Sequence, residues 1–107
     1  MHRGEIRWYT YAAPDKRRPV LLLTRDSVID ALGEIIVAPM TSTIRAIPTE
    51  VVLTPDDDGT PIACAVNLDH VSLARRARIG ATLGTLRPER WREVERALLI
   101  ACGFREE

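Results

Sequence analysis

Residues Lys16 to Asp26 read KRRPVLLLTRD, and the change of character inside this stretch decides how the rest of the chain is read. Val20 to Thr24 form a short, continuously apolar run, too short to be a helix by itself. Pro19 stands where a strand tolerates proline, at its first residue. The expectation is a strand opening directly on Lys16, Arg17 and Arg18. Proline fixes the chain direction, so Arg18 is held beside a rigid strand end, which is how an arginine is preorganised for an anionic group. The competing reading is that the paired arginines guard a sheet edge against aggregation.

Working outward, EIRWYTY before this strand alternates and predicts another, with Ile6, Trp8 and Thr10 on one face and Trp8 in the core. After it, RDSVIDALGE predicts a short helical turn with Asp26 as N-cap, Gly33 as stop, and Val28, Ile29 and Leu32 facing inward. EIIVAPM predicts a strand broken at Pro39, TSTIRAIP a polar loop, and TEVVLT a further strand. PDDDGTP is the strongest turn signal and should join TEVVLT to IACAVNL as a hairpin, Gly59 supplying a positive φ. HVSLARRARIGATLGTL mixes a basic turn with glycine-punctuated strand. RPERWREVERALLIACG is the clearest helix, with Pro88 at its first position and Gly103 as its stop. Its expected buried stripe is Trp91, Val94, Leu98 and Ala101, with Arg90, Glu93, Glu95 and Arg96 in water. Five or six strands and a terminal helix make an α+β chain, mainly antiparallel, built as a bent sheet or partly open barrel.

At 107 residues, one domain spanning residues 1–107 is expected. Formal charge balances to zero, yet Lys16 is the sole lysine among 15 basic residues. Arginine's planar fork suits bidentate phosphate recognition, although a GC-rich genome produces the same bias. Cys64 and Cys102 match no metal or redox spacing and sit among apolar neighbours, so two buried, reduced thiols are expected. No window approaches the roughly 20 apolar residues of a membrane span. A soluble, cytoplasmic protein with no membrane partner is the expectation.

Three constellations can carry chemistry. The first is Arg17, Arg18 and Pro19. The second is APMTSTIR, where Thr41, Ser42 and Thr43 follow an apolar strand and can receive a phosphate oxygen, with Arg45 supplying a cation, unless the hydroxyls serve only turn bonds. The third is NLDH, with Asn67, Asp69 and His70. A carboxylate there can act as general base toward a ribose 2′-OH and an imidazole can move protons. Their adjacency in a strand would send Asp69 and His70 to opposite faces, and a structural aspartate bonded to backbone is the alternative. Arg75, Arg76 and Arg78 read as a solvated basic face. No motif has metal spacing, so a cofactor is not expected.

Taken in order, RGEIRW, RRPVLLLTRD, VAPMTSTIR, PTEVVL, CAVNLDHV and PERWREVERAL resemble the MazF/PemK family of bacterial toxin endoribonucleases, over nearly the whole chain. The resemblance implies an SH3-like barrel with a short internal helix and a C-terminal helix, and a homodimer. It implies metal-independent, sequence-specific cleavage of single-stranded RNA to 2′,3′-cyclic phosphate and 5′-hydroxyl ends. It also implies a cognate MazE-like antitoxin that blocks the RNA groove. By the same resemblance Arg18 stabilises the scissile phosphate and can act as general acid, Thr41 contacts that phosphate, and Asp69 stands where some members carry the base. Lys16, Arg17, Ser42, Thr43, Arg45, Asn67 and His70 would contact RNA, with Tyr9 and Tyr11 near enough to stack on bases. Asn67 replaces an arginine of some members, and the loop AAPDK is short, leaving Asp15 as a substitute for a further acid or histidine. Two other functions fit the same barrel. One is a non-catalytic module binding RNA or an acidic peptide. The other is a gyrase-poisoning toxin, whose tryptophan near a terminal Gly-Ile is not matched by CGFREE.

Overall fold

The computed structural model describes residues 1–12 and 16–107. At its centre lie three antiparallel strands, β1 (Glu5–Thr10), β2 (Arg17–Leu22) and β3 (Glu34–Thr41). The outer edge of β1 takes β7 (Ile79–Thr85). The far side of β3 is shared between two strands. β6 (Ser72–Arg75) pairs with Glu34 to Val37, and β5 (Cys64–Asn67) pairs with Met40 and Thr41. β4 (Glu50–Leu53) lies outside β5, giving the order β4-β5-β3-β2-β1-β7. One strand serving two partners end to end bends the sheet into the expected barrel-like wrap, with seven strands where the pattern suggested five or six.

Pro39 does not break β3; it sits at the change of partner. The Ile36 carbonyl faces β2, accepting from Leu23 N at 2.8 Å, so by alternation the nitrogen of Pro39 faces the other side. There β6 has ended at Val37 and β5 begins at Met40, and a missing N–H costs no ladder bond.

The run VLLL is apolar throughout because β2 has a core on each face. Leu21 points into a cluster with Ile6, Ala38, Leu53, Val66 and Val94, while Val20 and Leu22 point into a second with Tyr9, Ile29, Ile35 and Val37. A helix covers each side: α3 (Trp91–Ala101) supplies Val94 and Ala97 to the first, and α1 (Asp26–Ile29) supplies Ile29 to the second. Val20, Leu21 and Leu22 are fully buried, each contributing about 1.5–3 kcal/mol. The same arrangement corrects the reading of β1. Ile6 and Trp8 share a face, but Tyr9 on the opposite face is the buried aromatic, while Trp8 is only half-buried.

Elsewhere local signals meet tertiary demands. Asp26 begins α1 without capping it; its carboxylate accepts from Arg3 N at 2.7 Å. Leu32 is exposed, and Gly33 has no positive φ. β4 and β5 form the expected hairpin, but through α2 (Pro55–Asp58) and not a tight turn. Thr54 caps it, accepting from Asp57 N at 3.2 Å, and Gly59 ends it at φ 70°. Gly103 closes α3 at φ 78°, but the fully buried stripe is Val94, Ala97 and Ile100. Arg90 does not face water: it donates to Val52 O and lies beside the buried Asp58 carboxylate. Cys64 is buried as expected, whereas Cys102, past the end of α3, is exposed.

Candidate active site

Arg18 and Thr41 meet because β2 and β3 are paired. Val20 lies opposite Pro39 as the last pair of the ladder, and Arg18 and Thr41 stand two residues beyond it at the neighbouring ends of the two strands. Both residues line a cleft of about 560 Å³ together with Tyr11, Lys16, Arg45, Asn67 and His70. Both also line an adjoining, more apolar cleft of about 520 Å³ that contains Trp8, Ser42, Thr43 and Ile62. They stand on the boundary between the two.

The first cleft carries Lys16, Arg18 and Arg45, and no carboxylate among the described residues lines it. A neutral chain thus presents a local cationic surface. Arg45 is positioned by Glu50. The Glu50 carboxylate, fully buried at its side chain, accepts from Arg45 N at 2.9 Å and from its guanidinium at 3.3 Å. Sequence reading treated Glu50 as an ordinary strand residue and missed this clamp. The Thr41 hydroxyl accepts from Thr43 N at 3.1 Å, leaving its own proton free to donate. Arg17 leaves the cleft and lies over the Trp8 ring, 4.4 Å from its centroid. Tyr11 is half-buried and packs edge-on against Tyr9 at 4.8 Å between centroids. Burial and the neighbouring Tyr9 raise its phenol above the ordinary value against the opposing field of Arg18. It therefore presents a neutral ring at physiological pH.

NLDH is divided by a 3₁₀ turn over Leu68–His70, not carried as strand. A 3₁₀ turn rotates successive side chains by about 120°. Leu68 enters the core, Asp69 turns toward β4, and His70 turns into the cleft. Two bonds hold the arrangement: Asn67 Oδ1 accepts from Asp69 N at 3.0 Å, and the Thr49 hydroxyl donates to Asp69 Oδ2 at 2.6 Å. Asp69 lines a separate groove with Ile47, Pro48 and the C-terminal segment. Arg18, Thr41, Lys16, Arg45, Asn67 and His70 are brought together, Ser42 and Thr43 adjoin them, and the Asp69 carboxylate is not among them. Asp15 lies outside the described residues. Arg76 is not simply solvated, since its Nε donates to Leu32 O at 2.8 Å, while Arg75 and Arg78 are exposed. No group of three His, Cys, Asp or Glu among the described residues could hold a metal ion.

Residues 2–102 match the family described as PemK-like, MazF-like toxin of type II toxin-antitoxin system. A Mycobacterium tuberculosis protein named "Probable endoribonuclease MazF5" is 43% identical over 99 residues, 92% of this chain and 90% of that one. A second from the same species, "Probable endoribonuclease MazF2", is 36% identical over 103 residues, 96% of this chain and 99% of its own length. Among solved structures, "Mycobacterium tuberculosis toxin MazF-mt6" superposes with a TM-score of 0.83 at 28% identity, covering 92% of this chain and 96% of that one. A mycobacterial endoribonuclease solved with its cognate antitoxin has a TM-score of 0.85 at 22% identity over all of this chain and 99% of that one, a likeness of fold.

Proposed function

The chain belongs to the PemK-like, MazF-like toxins of type II toxin-antitoxin systems, and on that premise we propose that it is a sequence-specific endoribonuclease that cuts single-stranded RNA without a metal. The observation that carries this reading is that Arg18 and Thr41, at the neighbouring ends of β2 and β3, line one cleft with the cations Lys16 and Arg45.

The nucleophile is the substrate's own 2′-OH, so no bound metal is needed to generate one. As its oxygen attacks the adjacent phosphorus, negative charge gathers on the non-bridging oxygens. The Arg18 guanidinium and the Thr41 hydroxyl donate to that charge from positions fixed by strand pairing. Lys16 and Arg45 hold flanking phosphates, and Tyr11 and the Asn67 amide meet unstacked bases. The products are a 2′,3′-cyclic phosphate and a 5′-hydroxyl. The protein acts in the cytoplasm as a homodimer and is neutralised by a cognate antitoxin that covers the cleft.

The test is incubation of purified protein with a long single-stranded RNA in EDTA, mapping cut sites and end chemistry beside Arg18→Ala. Sequence-specific cuts with cyclic or 3′-phosphate ends, absent in the variant, support the reading. RNA that is bound but not cut favours a binding module.

A further inference from the structure

We propose that His70, not Asp69, is the general base that removes the proton of the attacking 2′-OH. This rests on the endoribonuclease reading above and assigns a residue within it.

The assignment follows from the 3₁₀ turn after β5. Three bonds set the direction of each side chain there. Leu68 N donates to Thr49 O at 3.0 Å, Asp69 N donates to Asn67 Oδ1 at 3.0 Å, and the Thr49 hydroxyl donates to Asp69 Oδ2 at 2.6 Å. With Leu68 anchored in the core, the turn has one azimuth left for each of its two polar residues. Asp69 faces Thr49 and the C-terminal segment, in a groove that contains neither Arg18 nor Thr41. His70 faces the cleft that contains both. A base must come within about 2.6–3.2 Å of the proton it takes, so a carboxylate turned away and already accepting a hydroxyl is poorly placed. The imidazole is exposed and forms no hydrogen bond or ion pair among the described residues, which leaves a ring nitrogen open to a substrate hydroxyl.

The step balances without a further reactant. A neutral imidazole nitrogen takes the 2′-OH proton, the O2′–P bond forms, and the P–O5′ bond breaks with its electron pair leaving on O5′. Water protonates that oxygen while the Arg18 guanidinium stays charged and donates hydrogen bonds, and the imidazolium returns its proton to solvent, so no net proton is consumed. The groups lining the cleft with His70 are Lys16 just before β2, Arg18 in β2, Arg45 from the loop after β3, and the neutral phenol of Tyr11.

The experiment compares wild type, His70→Ala, His70→Gln, Asp69→Asn and Arg18→Ala on an RNA that wild type cuts. Single-turnover rates are measured from pH 5 to 9, and binding is measured with the same RNA bearing a 2′-deoxyribose at the cut site. His70→Ala and His70→Gln should lose about 10²-fold or more in rate and keep binding within about threefold. Free imidazole in the buffer should restore part of the rate of His70→Ala but not of Arg18→Ala. Asp69→Asn should cleave within about threefold of wild type. The assignment is overturned if either His70 variant cleaves like wild type, if both lose rate only through lost binding, or if Asp69→Asn loses as much as His70→Ala with binding intact. Wild type that cuts no RNA removes the endoribonuclease reading and this assignment together. Wild-type cutting with active His70 variants removes the assignment alone.

Discussion

The Thr49 hydroxyl donates to the Asp69 carboxylate across 2.6 Å, joining residues 20 apart in sequence and turning the one acid of NLDH away from the cleft that holds Arg18 and Thr41. A bond of this kind to a charged acceptor that can rehydrate contributes about 1 kcal/mol net. Thr49→Val should therefore lower the melting temperature by about 4–8 °C and, by loosening the turn that directs His70, slow RNA cleavage far less than His70→Ala does. Scanning calorimetry and the cleavage assay check both halves. A large loss of cleavage with the fold intact would mean that Asp69 and its partner serve the chemistry after all.

At the strand ends, the hydroxyl of Thr41 and the forked guanidinium of Arg18 each do something their nearest analogues test separately. Thr41→Val keeps the shape and removes the donor, so cleavage should fall by about 10²–10³-fold, whereas Thr41→Ser should retain most of it. Arg18→Lys keeps the charge but not the planar pair of donors, and should fall much closer to Arg18→Ala than to wild type. Initial rates on one defined RNA distinguish these outcomes.

The Asp58 carboxylate, with its side chain 4% exposed, lies 3.8 Å from Arg90 and accepts from Thr54 N at 3.0 Å. Removing the guanidinium leaves the buried carboxylate without the less exposed of its two counter-ions, and Arg90→Ala should cost about 3 kcal/mol. Arg87 lies 3.9 Å from the same carboxylate but is 47% exposed, and Arg87→Ala should cost less than about 1 kcal/mol. Urea denaturation of the two variants side by side measures the difference.

The Tyr11 phenol titrates above its ordinary value in the folded chain because burial disfavours the phenolate. The unfolded chain gives up that proton near pH 10, so the folded state holds it longer. The resulting stabilisation is present in full below about pH 10 and is lost as pH rises through the higher folded value. Burial raises the Cys64 thiol too, which adds a loss of the same sign starting near pH 9. Tyr11→Phe should make stability fall less steeply between about pH 9.5 and 11, read from urea midpoints across that range.

Much was legible in the sequence by itself. Five consecutive residues, Val20 to Thr24, are long enough only for a buried strand, and Pro19 can open such a strand, so β2 and the place of Arg18 at its mouth are local facts. Pro88 and Gly103 likewise bracket α3, since each suits the backbone of one helix end. The order of motifs from RGEIRW to PERWREVERAL carried the family, and with it Thr41 as partner to Arg18.

The tertiary structure decided what depends on contacts distant in sequence. Whether Trp8 or Tyr9 enters a core depends on a second cluster, built by α1 and β6 on the far face of the sheet. That Arg90 turns inward depends on an acid 32 positions earlier, because a charge faces water until a buried counter-charge is placed beside it. Asp69 and His70 were separated correctly but for the wrong reason. A strand would have set them on opposite faces, whereas a 3₁₀ turn held by Thr49 and Asn67 sends one to β4 and the other to the cleft of Arg18 and Thr41. Local periodicity fixes which residues can share a face. Which face becomes the active site is set by the partners that complete the hydrogen bonds, and these come from elsewhere in the chain.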